Sequence, residues 1–434
     1  MKKGRIPNTF PATDGDYILS SAIDTQLGLF TGNIVAVFDH ELDADRLVQA
    51  LDILFDTWPI LSCRFVVQGN RLYWERISKT DRQHAFSIIN TEQECETFCT
   101  KQVDSRTGPQ ANLGLFPSPV KPTVILKLSH QVSDGRGFAH ILRTLSSTYT
   151  RLQQDPSYQP APHIHGSRSG SQIMRQLPWT ALPVILKNFI ILTWSLNHPR
   201  ATQMLPLAPW DNIAWSYRVR HISASRTGRI INFAKNHQAT LNDAILTALL
   251  RSLASYGNRD GNAALRIQMT VDLRAWYARA PGENALCNLS AFEYVNLGAD
   301  PGTDFGATLG RVAAITRARK KSYFGLSEAL LVPLVTALPY RWLVRLVDYT
   351  ARKKAAQKNV PCLLTNTGPI TPENVAFGQP PIAAWVLPHV LFPPGFCLCV
   401  SSYNNTISLS AGVSRGSYAL VDAFLDQMIA ELPT

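Results

Sequence analysis

Six residues, His130-Gln-Val-Ser-Asp134-Gly135, place an imidazole and a carboxylate four positions apart where the chain changes secondary structure. A histidine exchanges its proton readily near neutral pH, so a ring with one nitrogen held and the other facing a hydroxyl can act as a general base. In the turn that follows, the Asp134 carboxylate is placed to brace the loop that carries the ring. The elements that must position this pair are legible on either side. Val124-Ile-Leu-Lys-Leu128 puts Val124, Leu126 and Leu128 on one face of a strand, and His130 continues that face. Downstream, Phe138, Ile141, Leu142, Leu145, Tyr149 and Leu152 recur at helical spacing. Asp134-Gly135 and Gly137 supply turn chemistry between the two. The spacing predicts a strand, a sharp turn and a helix, with His130 presented where a pocket can open.

The segment resembles the HxxxDG signature of the CoA-dependent acyltransferase superfamily, which includes BAHD acyltransferases, alcohol acetyltransferases, wax ester synthases and condensation domains of nonribosomal peptide synthetases. Other segments resemble the superfamily in the same order along nearly the whole chain. Leu42-Asp43 to Leu51, then Trp58-Pro59-Ile60-Leu61 to Arg64-Phe65, is similar to its first helix and following strand. Thr240-Leu-Asn242-Asp243 to Leu249 resembles the helix opening its second lobe, Val271-Asp272-Leu273-Arg274 its VDLR strand end, and Thr365-Asn366-Thr-Gly368-Pro its late SN-G segment. The resemblance implies an α/β fold of two chloramphenicol-acetyltransferase-like lobes, with a tunnel and active site at their interface. It implies acyl transfer from a thioester, acyl-CoA or acyl-carrier protein, to a hydroxyl, with His130 as general base. Asp134, with Gly135, would support the active-site loop by turning away from the tunnel to pair with Arg274. Asn288, Thr365 and Asn366 are the candidates for oxyanion or tunnel positions.

Departures narrow the subfamily. Ser129 stands where condensation domains and wax ester synthases usually carry a first histidine, and no DFGWG loop follows Thr365. Asp304-Phe305-Gly306 lies too early to be that loop and reads as a helix entry. Cys287-Asn288 replaces a common Gly-Asn. Ser129 in place of that histidine counts against N-acyl transfer, so O-acyl transfer is favoured. The alternatives are an amide-forming condensation enzyme of a nonribosomal-peptide-type pathway and a catalytically inactive carrier-protein-binding relative. A trimeric chloramphenicol acetyltransferase is disfavoured by length and by a histidine so early in the chain.

At 434 residues with 45% hydrophobic and 17% charged side chains, the chain can bury two cores. The expected organisation is a first lobe over 1–160, a Pro- and Ser-rich crossover over 161–211, and a second lobe over 212–434, in which Asn242 reads as a helix N-cap and Gly257 lies past that helix's end. Seven scattered cysteines without a CxxC pair give neither a disulfide framework nor a zinc site. They fit a reducing cytosol, and no secretory leader is apparent. No cofactor or metal is expected beyond the thioester substrate, and His163-Ile-His165 reads as an exposed loop rather than a ligand pair. The net charge of +11 gathers around Arg218 to Lys235, 311–321 and 341–358. Most of it reads as solvated helix faces, with attraction of an anionic CoA or acidic carrier as the functional account. No nucleic-acid module is visible. The apolar stretch 177–196 is broken by Pro178, Pro183, Lys187 and Asn188 and is a poor membrane span. It reads as a crossover packed against the lobes, with peripheral membrane contact together with 338–358 as the competing account. The expected acceptor is a small-molecule or lipid alcohol, and the expected state is a cytoplasmic monomer with or without that membrane contact.

Overall fold

The computed structural model describes residues 6–164, 166–197, 200–257, 263–276, 285–323 and 325–434. Two mixed sheets organise the chain. The first has five strands in the order Ala383–Leu387, Thr31–Val37, Thr123–Ser129, Ala111–Phe116, Phe86–Ile88. The second has six, in the order Ser290–Asn296, Arg266–Asp272, Cys362–Ile370, Cys397–Tyr403, Thr406–Ser414, Trp215–Ile222.

The strand Thr123–Ser129 lies in the middle of the first sheet, antiparallel to both neighbours, and is buried along almost all of its length. Its Val124, Leu126 and Leu128 join one core with Leu47, Leu51 and Leu54 of the Ala44–Thr57 helix and Ile141, Leu142 and Leu145 of the Gly135–Leu152 helix. Burying a leucine side chain contributes about 1.5–3 kcal/mol, so this apolar face fixes which way the strand can sit and hence where His130 emerges. A second core packs the Leu241–Tyr256 and Tyr418–Glu431 helices on the six-stranded sheet, through Ile245, Leu249, Leu398, Leu409 and Phe424.

The start of the Leu241–Tyr256 helix differs from expectation. Thr240, not Asn242, is its N-cap, because Thr240 and Asp243 satisfy each other's backbone N–H groups in a capping box. Asp304 caps the Phe305–Lys321 helix, in keeping with the expected helix entry.

The lobes share chain. Strand Ala383–Leu387 leaves the second half of the sequence and pairs antiparallel with Thr31–Val37, while Tyr340, Leu343, Val375 and Phe377 enter the first core. Val386 stitches the sheets together: its N–H donates to the Ser401 hydroxyl (3.1 Å) and its carbonyl accepts from Ser410 (2.7 Å). In the crossover, the helix Leu182–Asn197 buries Ile185 in a small cluster with Leu289, Ala291 and Leu326 and leaves Leu186 and Ile190 exposed. Among the described residues, no helix is long and apolar enough to cross a membrane.

The arginines of strand Trp215–Ile222 are not a solvated helix face. Arg218 pairs with Asp422, and Arg220 with Asp422 and Asp426, on the C-terminal helix. That part of the basic excess is paired with carboxylates of the same chain.

Candidate active site

His130 is the first residue past the strand Thr123–Ser129, and its backbone N–H still donates to the Phe30 carbonyl (2.8 Å). The next residues turn, and Asp134 then caps the Gly135–Leu152 helix by accepting from the Gly137 N–H (3.1 Å). Gly137 has to be glycine here. A Cβ at that position would fall 1.6 Å from the Ser133 hydroxyl oxygen.

The second Asp134 oxygen accepts from Arg274 Nη1 (2.8 Å) and from the Leu289 N–H (2.7 Å). The carboxylate is 1% exposed, and every polar contact it makes points towards the second lobe and the helix start, not towards the imidazole. Arg274 also donates to Asp272 and to the Cys287 carbonyl. Burial alone would lower its pKa, but the charge of Asp134 and the hydrogen bond to it, with Cys287 and Asp272, hold it above the ordinary arginine value. Arg274 therefore keeps its charge beside Asp134, tying the motif turn to the strand end at Asp272.

Two further residues tie down the same loop. Asn288 Nδ2 donates to the carbonyls of both His130 and Gln131 (3.1 Å each). Its two amide hydrogens are directed at the loop backbone, so the side chain braces the loop. Arg168, from the crossover, donates to the Val132 carbonyl (3.0 Å) and the Leu286 carbonyl and forms an ion pair with buried Asp16 (2.7 Å). Nothing in the sequence singled out Arg168 or Asp16, which meet the motif only through the fold.

The ring of His130 packs against two other rings. Phe138 lies 5.8 Å away between centroids, and His389 meets it edge to face at 5.1 Å. His389, on the connection after strand Ala383–Leu387, stacks in turn on Phe30 (5.8 Å). Sequence reasoning missed this second histidine, which has no local motif. Burial lowers the pKa of His130 below the ordinary histidine value, opposed by its own backbone, the Asp134 charge and the Asn288 amide. Burial, reinforced by the charge His130 would carry, takes His389 down to about 3. Two neutral imidazoles thus face each other, and His130 is in the protonation state a base requires.

Thr365 accepts from Thr270 (3.2 Å), and exposed Asn366 donates to Asn242 (3.2 Å) and accepts from the Gly368 N–H (2.9 Å). None of these contacts involves His130 or its loop. It is Thr367 of the same strand that reaches the motif, its methyl 3.6 Å from where a Cβ on Gly135 would stand. With Gly135, Phe138, Leu142 and Ile34 it lines a small cavity of about 40 Å³ beneath the motif helix.

All seven cysteines are free thiols. Burial pushes Cys287, the one next to Arg274, up to about 11 despite that cation, so it is a poor thiolate nucleophile. His163 stacks on Trp58 at 4.1 Å and His165 lies outside the described residues. Among the described residues no group of three or more His, Cys, Asp or Glu side chains is placed to hold a metal.

The sequence matches no protein-family model and no curated protein. Solved structures do match over nearly the full length. The first condensation domain of the CDA synthetase superposes with a TM-score of 0.69 at 13% identity, covering 98% of this chain and 97% of that one. The TRI3 trichothecene 15-O-acetyltransferase from Fusarium sporotrichioides gives 0.68 at 12% identity, covering 98% and 95%. Polyketide synthase associated protein 5 from Mycobacterium tuberculosis gives 0.63 at 15% identity over 100% of both chains. With two sheets sharing chain and an HxxxDG turn held between them, the protein has the two-lobed α/β fold of the CoA-dependent acyltransferases and condensation domains.

Proposed function

We propose that the protein transfers an acyl group from a thioester, acyl-CoA or acyl-carrier protein, to a hydroxyl acceptor, with His130 as general base. The observation that carries this reading is the fixation of the His130 loop at three points, by Asp134–Arg274, Asn288 and Arg168, around a ring held neutral. A loop this heavily braced suits a group that must be aimed within a fraction of an ångström.

In the reaction, His130 takes the hydroxyl proton as the oxygen attacks the thioester carbonyl. The tetrahedral intermediate collapses with cleavage of the C–S bond, and the imidazolium returns the proton to the departing sulfur. The products are an ester and a free thiol. No covalent enzyme intermediate is required, and the raised thiol of Cys287 fits that economy. Asp134 does not enter the proton transfer. It fixes the direction from which the ring approaches.

Thiol release measured across acyl-CoAs and carrier-loaded acyl groups, with and without alcohols, tests the proposal. The expected result is release that depends on an alcohol. Release with amines alone would replace it by amide-forming condensation, and no release from any donor by a non-catalytic carrier-binding protein.

A further inference from the structure

Exposed large apolar side chains are ordinary when scattered singly, but here they gather on neighbouring segments. Trp179 is 86% exposed, and on the adjoining helix Leu182–Asn197, Leu182, Leu186 and Ile190 follow at four-residue spacing on the open side. That helix packs on Leu326–Thr336, where Leu334 is 63% exposed. The row continues on Tyr340–Ala356, which presents Trp342, Leu346 and Tyr349 at the same kind of spacing. Each helix has a buried side as well: Ile185, Leu326 and Leu343 face cores. The exposed residues are thus the outward stripe of packed helices.

Charge distinguishes the possible occupants. Segments 182–197, 326–336 and 340–356 carry six Lys or Arg against two Asp or Glu in sequence. Arg341, Arg345, Arg352 and Lys353 are exposed on the same helix as Trp342, and the guanidinium groups of Arg341 and Arg345 lie over its ring at 6.0 and 5.0 Å. A second copy of the chain docking symmetrically through this face would bring these cations against their own images. An anionic bilayer meets both properties at once. Aromatic and aliphatic side chains enter the headgroup boundary while arginine and lysine stay at the phosphate level.

We propose that the face formed by Trp179, the Leu182–Asn197 helix and the Tyr340–Ala356 helix docks the protein peripherally on anionic lipid bilayers. The contact is in-plane, in keeping with the lack of a spanning helix among the described residues. The face is separated from the catalytic loop by one helix. Asp14–Asp24 packs on both Leu326–Thr336 and Tyr340–Ala356, and a Cβ on its Gly15 would stand 3.2 Å from Asn288. The proposal does not depend on the identity of the reaction.

Co-sedimentation of the full chain with vesicles of phosphatidylcholine, alone or with about 30% phosphatidylglycerol, tests it. The expected partition into anionic vesicles is at least about tenfold that into neutral ones and falls in high salt. Leu186→Ser/Ile190→Ser/Trp342→Ser should lower it by about tenfold with an unchanged thermal melt, since all three positions are solvent-exposed. A second variant, Arg341→Glu/Arg345→Glu, should remove the preference for anionic lipid. Equal or absent binding to the two vesicles overturns the proposal. So do variants that bind as the parent does, and so does light scattering that shows a dimer dissociated by the serine variant.

Discussion

Asp134→Asn removes one charge and almost no volume, and the structure sets what that should cost. The carboxylate is 1% exposed and accepts from Arg274 and from the backbone of Leu289 and Gly137. Removing one member of a buried ion pair costs about 3–5 kcal/mol, because the other is left buried and uncompensated. Here Arg274 keeps Asp272 at 3.1 Å, but that side chain is 44% exposed and offsets only part of the loss. The amide also keeps one oxygen for a backbone donor. The expected loss is therefore about 2–3 kcal/mol. Arg274→Ala leaves the carboxylate with two N–H groups and no cation, and should lose a similar amount or somewhat more. Since both substitutions break one contact, the double mutant should fall within about 1 kcal/mol of the worse single mutant. Urea unfolding of the four proteins measures this, and thiol release on the same samples should show turnover falling by about 100-fold as the His130 loop loosens. Losses that add in the cycle, or a stable Asp134→Asn protein with normal turnover, would refute the brace.

Other consequences follow from the same geometry. His389 has a folded pKa of about 3 against an ordinary histidine value near 6.5, so as pH falls through 6.5 the unfolded chain takes up a proton that the fold does not. Its contribution is present above that pH and is lost progressively towards pH 3. His389→Phe should therefore lose up to about 2 kcal/mol less than the parent between pH 6.5 and 5 in urea titrations, and parallel pH profiles would contradict its being held neutral. Asn288→Ala removes both donors from the His130 and Gln131 carbonyls and should lower kcat by about 10- to 100-fold with a smaller change in KM; an effect on KM alone would assign it to substrate binding. If the basic surface draws in an anionic donor, raising salt from about 20 to 500 mM should reduce kcat/KM severalfold while kcat holds, as measured by initial rates.

The motif was legible because its determinants are local. A period-two run into His130, an Asp-Gly turn and a helical apolar stripe sit within thirty residues of one another, and each has its own backbone signature. The pairing of Asp134 with Arg274 is not local and was anticipated only through the family resemblance. Geometry now places the two 2.8 Å apart. Asn288, Thr365 and Asn366 stay open as oxyanion or tunnel positions in sequence, which shows that an amide is present but not which way it faces; the Asn288 hydrogens turn to the loop carbonyls. Arg168 falls in the expected crossover and His389 in no motif, since both acquire their neighbours by long-range packing, His389 through the strand Ala383–Leu387 that crosses between lobes. At Thr240 the error was one of competition. Two polar residues near a helix start can each cap it, and the capping box with Asp243 decides in favour of Thr240.

If His130 is the base of an acyl transfer, His130→Ala should abolish most of the turnover. With the donor and alcohol that give the parent its fastest thiol release, turnover should fall by about 100- to 10,000-fold in a protein whose thermal melt and donor KM stay close to the parent's. A folded His130→Ala protein that releases thiol at near-parental rates would contradict it.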